Sequence, residues 1–244
     1  ADMFAFFDQD TTTISAFGEF TFNLRDDFRI VTGLRYSKDK KQVSKSGFQS
    51  QVGSTSPDPF LAVVYGPILQ ISGDYAYTLK RDEDHVTGNV GLQWDPNADS
   101  MLYLNVSSGY KAGGFDEDNA LGSLANAEFD DETVLGVEAG GKFTVLGGRG
   151  RINAAVFHSK YEDLQVSTFD GNASFVVGNA AESVVTGLEA DWTFAVTENL
   201  TLSGALALLN AEYDSFSNSA CTSTQFTAWV AAGNPRATCT QDLS

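Results

Sequence analysis

The run Val86-Thr87-Gly88-Asn89-Val90-Gly91-Leu92-Gln93-Trp94 leads into Asp95-Pro96-Asn97-Ala98-Asp99 and then into Leu102-Tyr103-Leu104-Asn105-Val106-Ser107-Ser108-Gly109-Tyr110. Val86, Gly88, Val90, Leu92 and Trp94 recur at every second position, with Thr87, Asn89, Gly91 and Gln93 between them. Successive side chains of a strand point to opposite faces, so this alternation predicts a strand greasy on one side only. The Asp-Pro-Asn break has strong turn chemistry. Leu102, Leu104, Val106 and Tyr110 then oppose Tyr103, Asn105, Ser107 and Gly109 on the way back. The stretch reads as an antiparallel hairpin with one apolar and one polar wall.

The same plan occurs three more times. Upstream, Ile14, Ala16, Gly18, Phe20, Phe22 and Leu24 alternate with polar neighbours up to Arg25-Asp26-Asp27, and Phe28, Ile30, Thr32, Leu34 and Tyr36 return. Downstream, Leu135, Val137, Ala139, Gly141 and Phe143 precede a turn at Gly147-Gly148-Arg149-Gly150, and Ile152, Ala154 and Val156 follow it. Last, Val184 to Phe194 turns at Thr197-Glu198-Asn199 into Leu200, Leu202, Gly204, Leu206 and Leu208. Between these hairpins lie long connections: an irregular stretch from about Ser37 to Asp84, an acidic one from Lys111 to Glu132, one around Asp170-Gly171-Asn172, and a polar one carrying Cys221 and Cys239. Strand extends into the ends of the first, and its middle is expected to be loop.

Three features share a cause. Tight and long connections alternate strictly, as in outer-membrane barrels, where turns on one side stay short. The segments run about 10 to 14 residues, and a tilted strand needs about 9 to 11 to cross the hydrocarbon. Phe20, Phe22, Phe28, Trp94, Phe143, Trp192 and Phe194 stand beside the tight turns on the apolar face, the level of an aromatic girdle. Glu138, Glu189 and Asp191 fall on the opposite face, where a wet lumen accepts them. The expected fold is all-β: an antiparallel up-and-down transmembrane barrel segment of about eight long strands.

Composition agrees. No run of apolar residues reaches the length of a membrane helix. A net charge of −17 argues against nucleic acid as a partner, because neutralising phosphates requires clustered Lys and Arg. Outer-membrane lipid is the expected neighbour. The start, Ala1-Asp2-Met3-Phe4, has no leader, although an exported protein needs one; the end, Thr240 to Ser244, is polar and loop-like. Both ends read as truncation. Cys221 and Cys239 suit a disulfide closing a polar loop in an oxidising compartment, with two unrelated free thiols as the alternative.

Several short motifs, in order, resemble TonB-dependent receptors. Thr11-Thr12-Thr13-Ile14-Ser15-Ala16-Phe17-Gly18 is similar to their early barrel strand, and Ser108-Gly109-Tyr110-Lys111-Ala112-Gly113-Gly114-Phe115 to a segment leading into an extracellular loop. Val137-Glu138-Ala139-Gly140-Gly141-Lys142, then Tyr161-Glu162-Asp163-Leu164-Gln165-Val166, then Asn179-Ala180 and Gly187-Leu188-Glu189 continue the series. The resemblance implies a parent with an N-terminal plug and a barrel of twenty-two strands, of which this chain holds about eight as one partial barrel domain, residues 1–244. In isolation such a slice is an open curved sheet whose first and last strands do not pair. The resemblance also implies import of a scarce ligand, most often a ferric siderophore, driven by a TonB complex acting on the plug. It implies no catalytic constellation and no cofactor.

Candidate site residues are few. Tyr110, Lys111 and Phe115 adjoin the acidic loop and, with the lysine cluster Lys38, Lys40, Lys41 and Lys45, are candidates for touching an anionic ligand. A plain loop role is the alternative for each. His85 and His158 are isolated in sequence, without a second ligand at zinc spacing, and read as structural or solvent-facing. Asp116, Glu117, Asp118, Asp130, Asp131 and Glu132 form a solvated loop; calcium is the alternative, but the spacing of a calcium loop is missing. Gly147 to Gly150 is a hairpin turn, since no helix follows to cradle phosphate. Two rivals remain: a passive porin-like or autotransporter barrel, and a secreted carbohydrate-binding or glycosidase β-protein using Glu138 and Glu189 as an acid/base pair.

Overall fold

A computed structural model describes residues 2–50, 75–118, 124, 127–169, 175–220 and 238–241. Eight long strands follow one another: β1 (Asp2–Arg25), β2 (Phe28–Ser50), β3 (Tyr75–Asn97), β4 (Ser100–Lys111), β7 (Glu132–Val145), β8 (Gly150–Phe169), β9 (Phe175–Thr197) and β10 (Leu200–Ala220). A short hairpin, β5 (Gly114–Phe115) with β6 (Glu128–Phe129), lies between β4 and β7, and β11 (Thr238–Gln241) follows β10. The main sheet runs β1-β2-β3-β4-β7-β8-β9-β10-β11, antiparallel throughout. It is open: β1 and β11 are its two edges.

The register puts the apolar set on one face across all eight long strands. Phe28 faces Trp94, Ile30 faces Leu92, and Leu92 in turn faces Leu104. The row continues through Ala139, Val156, Leu188 and Leu208. Most of these side chains stay exposed, Leu34 at 62% and Leu208 at 60%, because no protein covers them. That is the surface a lipid wall requires.

Charge sets the height of the wall. The first outward-facing charged residues lie ten positions from the tight turns, as Lys38 from Phe28, Asp84 from Trp94 and Lys160 from Gly150. At a rise of about 3.3 Å per residue and a tilt of about 45°, that is roughly 23 Å, close to the apolar band of a barrel. Within the band the charges of Glu19, Arg29, Arg35, Glu138, Lys142, Glu189 and Asp191 all sit on the inward face.

The turns are tied side to side. The Asp95 N–H donates to the Asp27 carbonyl (2.8 Å), Thr144 to Asp99 (2.7 Å) and Ala195 to Arg149 (2.7 Å). Trp94 Nε1 donates to Asp27 Oδ2 at 3.2 Å, an indole anchored to the wet side with its ring in the girdle. Gly204 lies under Trp192, whose ring a Cβ would meet at 2.4 Å. Only glycine lets that ring lie flat on the neighbouring strand.

Strand enters the stretch from Ser37 to Asp84 at both ends, as far as Ser50 and again from Tyr75; its middle, residues 51–74, where a loop was expected, lies outside the described residues. The lysine cluster is therefore on β2, not in a loop. Cross-strand pairing explains the order: Lys38 faces Asp84 and Lys40 faces Asp82 on the outward side. Opposite charges across a pair of strands stabilise a ladder that period-two hydrophobicity does not reveal.

Leu104→Lys is expected to cost about 2–4 kcal/mol in the lipid-embedded barrel, and Asn105→Lys, one residue along on the wet face, under about 0.5 kcal/mol. Urea unfolding of the complete receptor in vesicles measures both. Equal costs would remove the two-sided wall.

Candidate functional site

Beyond the membrane band the strands are of unequal height. β4 and β7 stop at Lys111 and Glu132, while β2, β3, β8 and β9 continue. The β3–β4 register ends at Asn89↔Ser107, and beyond it the Ser108 hydroxyl bonds the Gly88 backbone, accepting from its N–H at 3.1 Å. The result is a notch between two tall hairpins. The β4–β7 connection, carrying β5 and β6, fills it.

This is where the described structure is dry. Val43, Phe115, Ala127, Ala180 and Ala181 are buried, and so are Ser37, Asp39, Lys45 and Asp116. Phe115 is 6% exposed and anchors the connection by burial. Asp116 joins the two sides of the notch. Its carbonyl accepts from Lys45 Nζ of β2 at 3.0 Å, and its carboxylate accepts from the Val177 N–H of β9 at 3.2 Å and the Asp118 N–H at 2.9 Å. Burial pushes the Asp116 carboxyl above the usual range, against the pull of those two N–H groups. Burial likewise pushes the Lys45 ammonium down, opposed by Asp116, Asp118 and Glu117. Lys45 also donates to the Glu117 carbonyl at 2.6 Å, and Lys41 to that of Gly113.

Two amides on the far flank hold the base of the connection. Asp163 takes a left-handed conformation (φ 54°) where the β8–β9 register slips between Tyr161 and Leu164. A bulge re-aims side chains, and Asp tolerates that conformation. Gln165 Nε2 then donates to the carbonyls of Lys111 (3.3 Å), Ala112 (3.2 Å) and Asp130 (3.0 Å). Asn179 Nδ2 donates to those of Asp130 (2.9 Å), Asp131 (3.3 Å) and Asp163 (2.8 Å), and its Oδ1 accepts from the Asp130 N–H at 2.7 Å. From β3, Arg81 pairs with Glu83 at 2.8 Å and Asp130 at 3.1 Å. Gly113 packs so closely that a Cβ would come within 2.7 Å of that guanidinium.

The three residues expected near a ligand separate in role. Tyr110 stacks on His85, with ring centroids 3.9 Å apart, and donates to Asp39 Oδ2 at 2.7 Å. Lys111 has a side chain 63% exposed and lies 3.8 Å from Glu132. Phe115 is inside the connection rather than at its surface. Lys38 and Lys40 are on the outward side, while Lys41 and Lys45 face inward with the connection. His158 points to the apolar face, bonded to Thr186 Oγ1 at 2.8 Å. His85, solitary in sequence, has Glu83 and Asp131 brought beside it. Cys239 belongs to β11, but Cys221 lies outside the described residues, and the expected disulfide with it.

Of the second rival's two carboxylates, Glu138 is tied into the inward wall, as is the neighbouring Asp191. Tyr103 donates to Glu138 Oε1 at 2.7 Å, and the Asn153 amide donates to both oxygens of Asp191 at 2.9 Å. They form a polar groove with Lys142 and Glu189.

An apolar band around a polar wall, tight turns at one edge and a built mouth at the other define an outer-membrane β-barrel. Residues 3–237 match the family model of the TonB dependent receptor-like β-barrel, and the chain belongs to that family. The pesticin receptor of Yersinia pestis is 28% identical over 186 residues, 75% of this chain and 24% of that protein. The metal-pseudopaline receptor CntO of Pseudomonas aeruginosa (strain UCBPP-PA14) is 30% identical over 126 residues, 52% of this chain and 17% of that one. The crystal structure of the ferric yersiniabactin uptake receptor FyuA from Yersinia pestis superposes with a TM-score of 0.67 at 19% identity, covering 86% of this chain and 28% of that one. The chain thus spans about a quarter of the length of the pesticin receptor it matches. These relatives are transport receptors rather than enzymes, and family members are proteins of the bacterial outer membrane.

Asn179→Ala removes four hydrogen bonds from the base of the connection and leaves carbonyls unpaired, a loss of about 1–3 kcal/mol. Limited proteolysis of the complete receptor is expected to cut the β4–β7 connection several-fold faster than in wild type, with the barrel itself intact. Unchanged cutting would mean the connection is held elsewhere.

Proposed function

We propose that this chain is one arc of an active-transport receptor that takes up a scarce metal chelate, of the ferric siderophore kind, with energy supplied by a TonB complex through a plug domain. The match of residues 3–237 to the receptor barrel family carries this reading. The names of the relatives support the ligand class, since CntO is a receptor for metal-pseudopaline. The open edges of the sheet support the arc, because unpaired backbone groups cannot face lipid and further strands must close the ring. The structural cues already described are shared with passive barrels, so it is the family match that favours the receptor.

Lys111 is the cation that the reading assigns to an anionic chelate. It is exposed beside the connection, whereas Lys41 and Lys45 are occupied by carbonyls. Tyr110 precedes it at the end of β4, and buried Phe115 sets the position of the connection that follows.

Radioiron uptake from ferric siderophores by cells carrying the complete receptor tests the proposal. Uptake is expected to vanish when TonB is deleted, and Lys111→Ala is expected to weaken ligand binding about three- to tenfold, about 0.7–1.4 kcal/mol. Uptake that survives loss of TonB would make the barrel a passive pore.

A further inference from the structure

We propose that Glu83, His85 and Asp131 form a binding site for a divalent transition-metal cation at the inner side of the notch, joining β3 to the base of the β4–β7 connection. One donor atom from each residue lies within 4.8 Å of the other two. His85 Nδ1 is 3.7 Å from Asp131 Oδ2, and His85 Nε2 is 4.0 Å from Glu83 Oε2. Donors around a tetrahedral ion with bonds of about 2.0–2.1 Å stand about 3.3 Å apart. The two carboxylates stand beside different ring nitrogens, so one ion takes a single imidazole nitrogen and draws the farther carboxylate toward it, within the 4.8 Å that separates the donors.

Two further observations point to a ligand. The Glu83 and His85 side chains are only 10% and 15% exposed, yet Glu83 Oε1 and His85 Nε2 are buried without a hydrogen-bond partner. A buried carboxylate oxygen left unpaired is costly, and a bound cation would offset that cost. The imidazole is also held ready: Tyr110 stacks on one face, and its hydroxyl is fixed by Asp39.

Charge sets the class of ion. Glu83 and Asp131 bring two negative charges, and Arg81, 2.8 Å from Glu83, cancels one. A divalent cation thus meets a net attraction even with the guanidinium in place. One nitrogen and two carboxylate donors suit zinc, cobalt, nickel or copper ions. Calcium takes six to eight oxygens, which this set does not supply. Three protein ligands leave a position open for water or for a donor atom from an arriving molecule. The site concerns this chain's own residues and stands whether or not the transported ligand is a siderophore.

The test uses the complete receptor in detergent, stripped of metal with chelator. Zinc is titrated by calorimetry, and cobalt by its visible absorption, whose intensity reports the coordination. One ion per chain is expected. His85→Ala and Glu83→Gln should each lower affinity at least about tenfold, because removing a ligand costs no less than removing the groups that orient one. His158→Ala, on the lipid face, should leave it unchanged. Heat-dependent gel mobility checks that each variant is folded, and the near-isosteric Glu83→Gln keeps the test open if His85→Ala is not. The proposal is overturned if wild-type receptor takes up no zinc at millimolar concentration, or if Glu83→Gln binds it with wild-type affinity.

Discussion

A backbone amide in hydrocarbon has no water to bond, so each must find its partner within the protein. This chain meets the constraint in the simplest order available. Each long strand pairs with the next long strand, and inside the membrane band the outward residues are glycine, small or apolar with few exceptions, His158 among them. The alternation of side chains, the inward placement of charge and the tight turns all follow from keeping that ladder continuous. Even the aromatic girdle depends on it, because Trp192 can lie flat only where Gly204 on the neighbouring strand leaves room.

Inside the band the sequence was legible because lipid imposes a strict rule. Val86 to Trp94 and Leu102 to Val106 could be read residue by residue, as could the faces of Glu138 and Glu189; Tyr110, expected on the apolar face, reaches His85 and Asp39 on the other side. Beyond the band the rule lapses. Lys38, Lys40, Asp82 and Asp84 are polar on the outward side, so period two disappears from hydrophobicity while the strand continues. What holds it there is cross-strand charge, visible only once the register is known.

The mouth was legible in part. Tyr110, Lys111 and Phe115 do adjoin the β4–β7 connection, but their separate roles depend on which side chains it buries. Gln165 and Asn179 stood within quoted motifs without a stated role. Their work is to hold carbonyls of a connection that is distant in sequence, and a bulge at Asp163 aims them. His85 looked solitary because Asp131, 46 positions later, reaches it only through the fold. Glu83, two residues away on the same face, was the one neighbour that strand periodicity could have offered.

The order of pairing also bears on how the structure forms. Hairpins closed by two or four residues lose little chain entropy and can zip from their turns outward, each independent of the rest. The bonds from Lys45 and Val177 to Asp116 join residues more than sixty positions apart and require both flanking hairpins to stand first. Assembly therefore finishes at the outer rim. By the same free-energy ordering, the rim is the part that opens first in the folded state, while the wall beneath it stays shut.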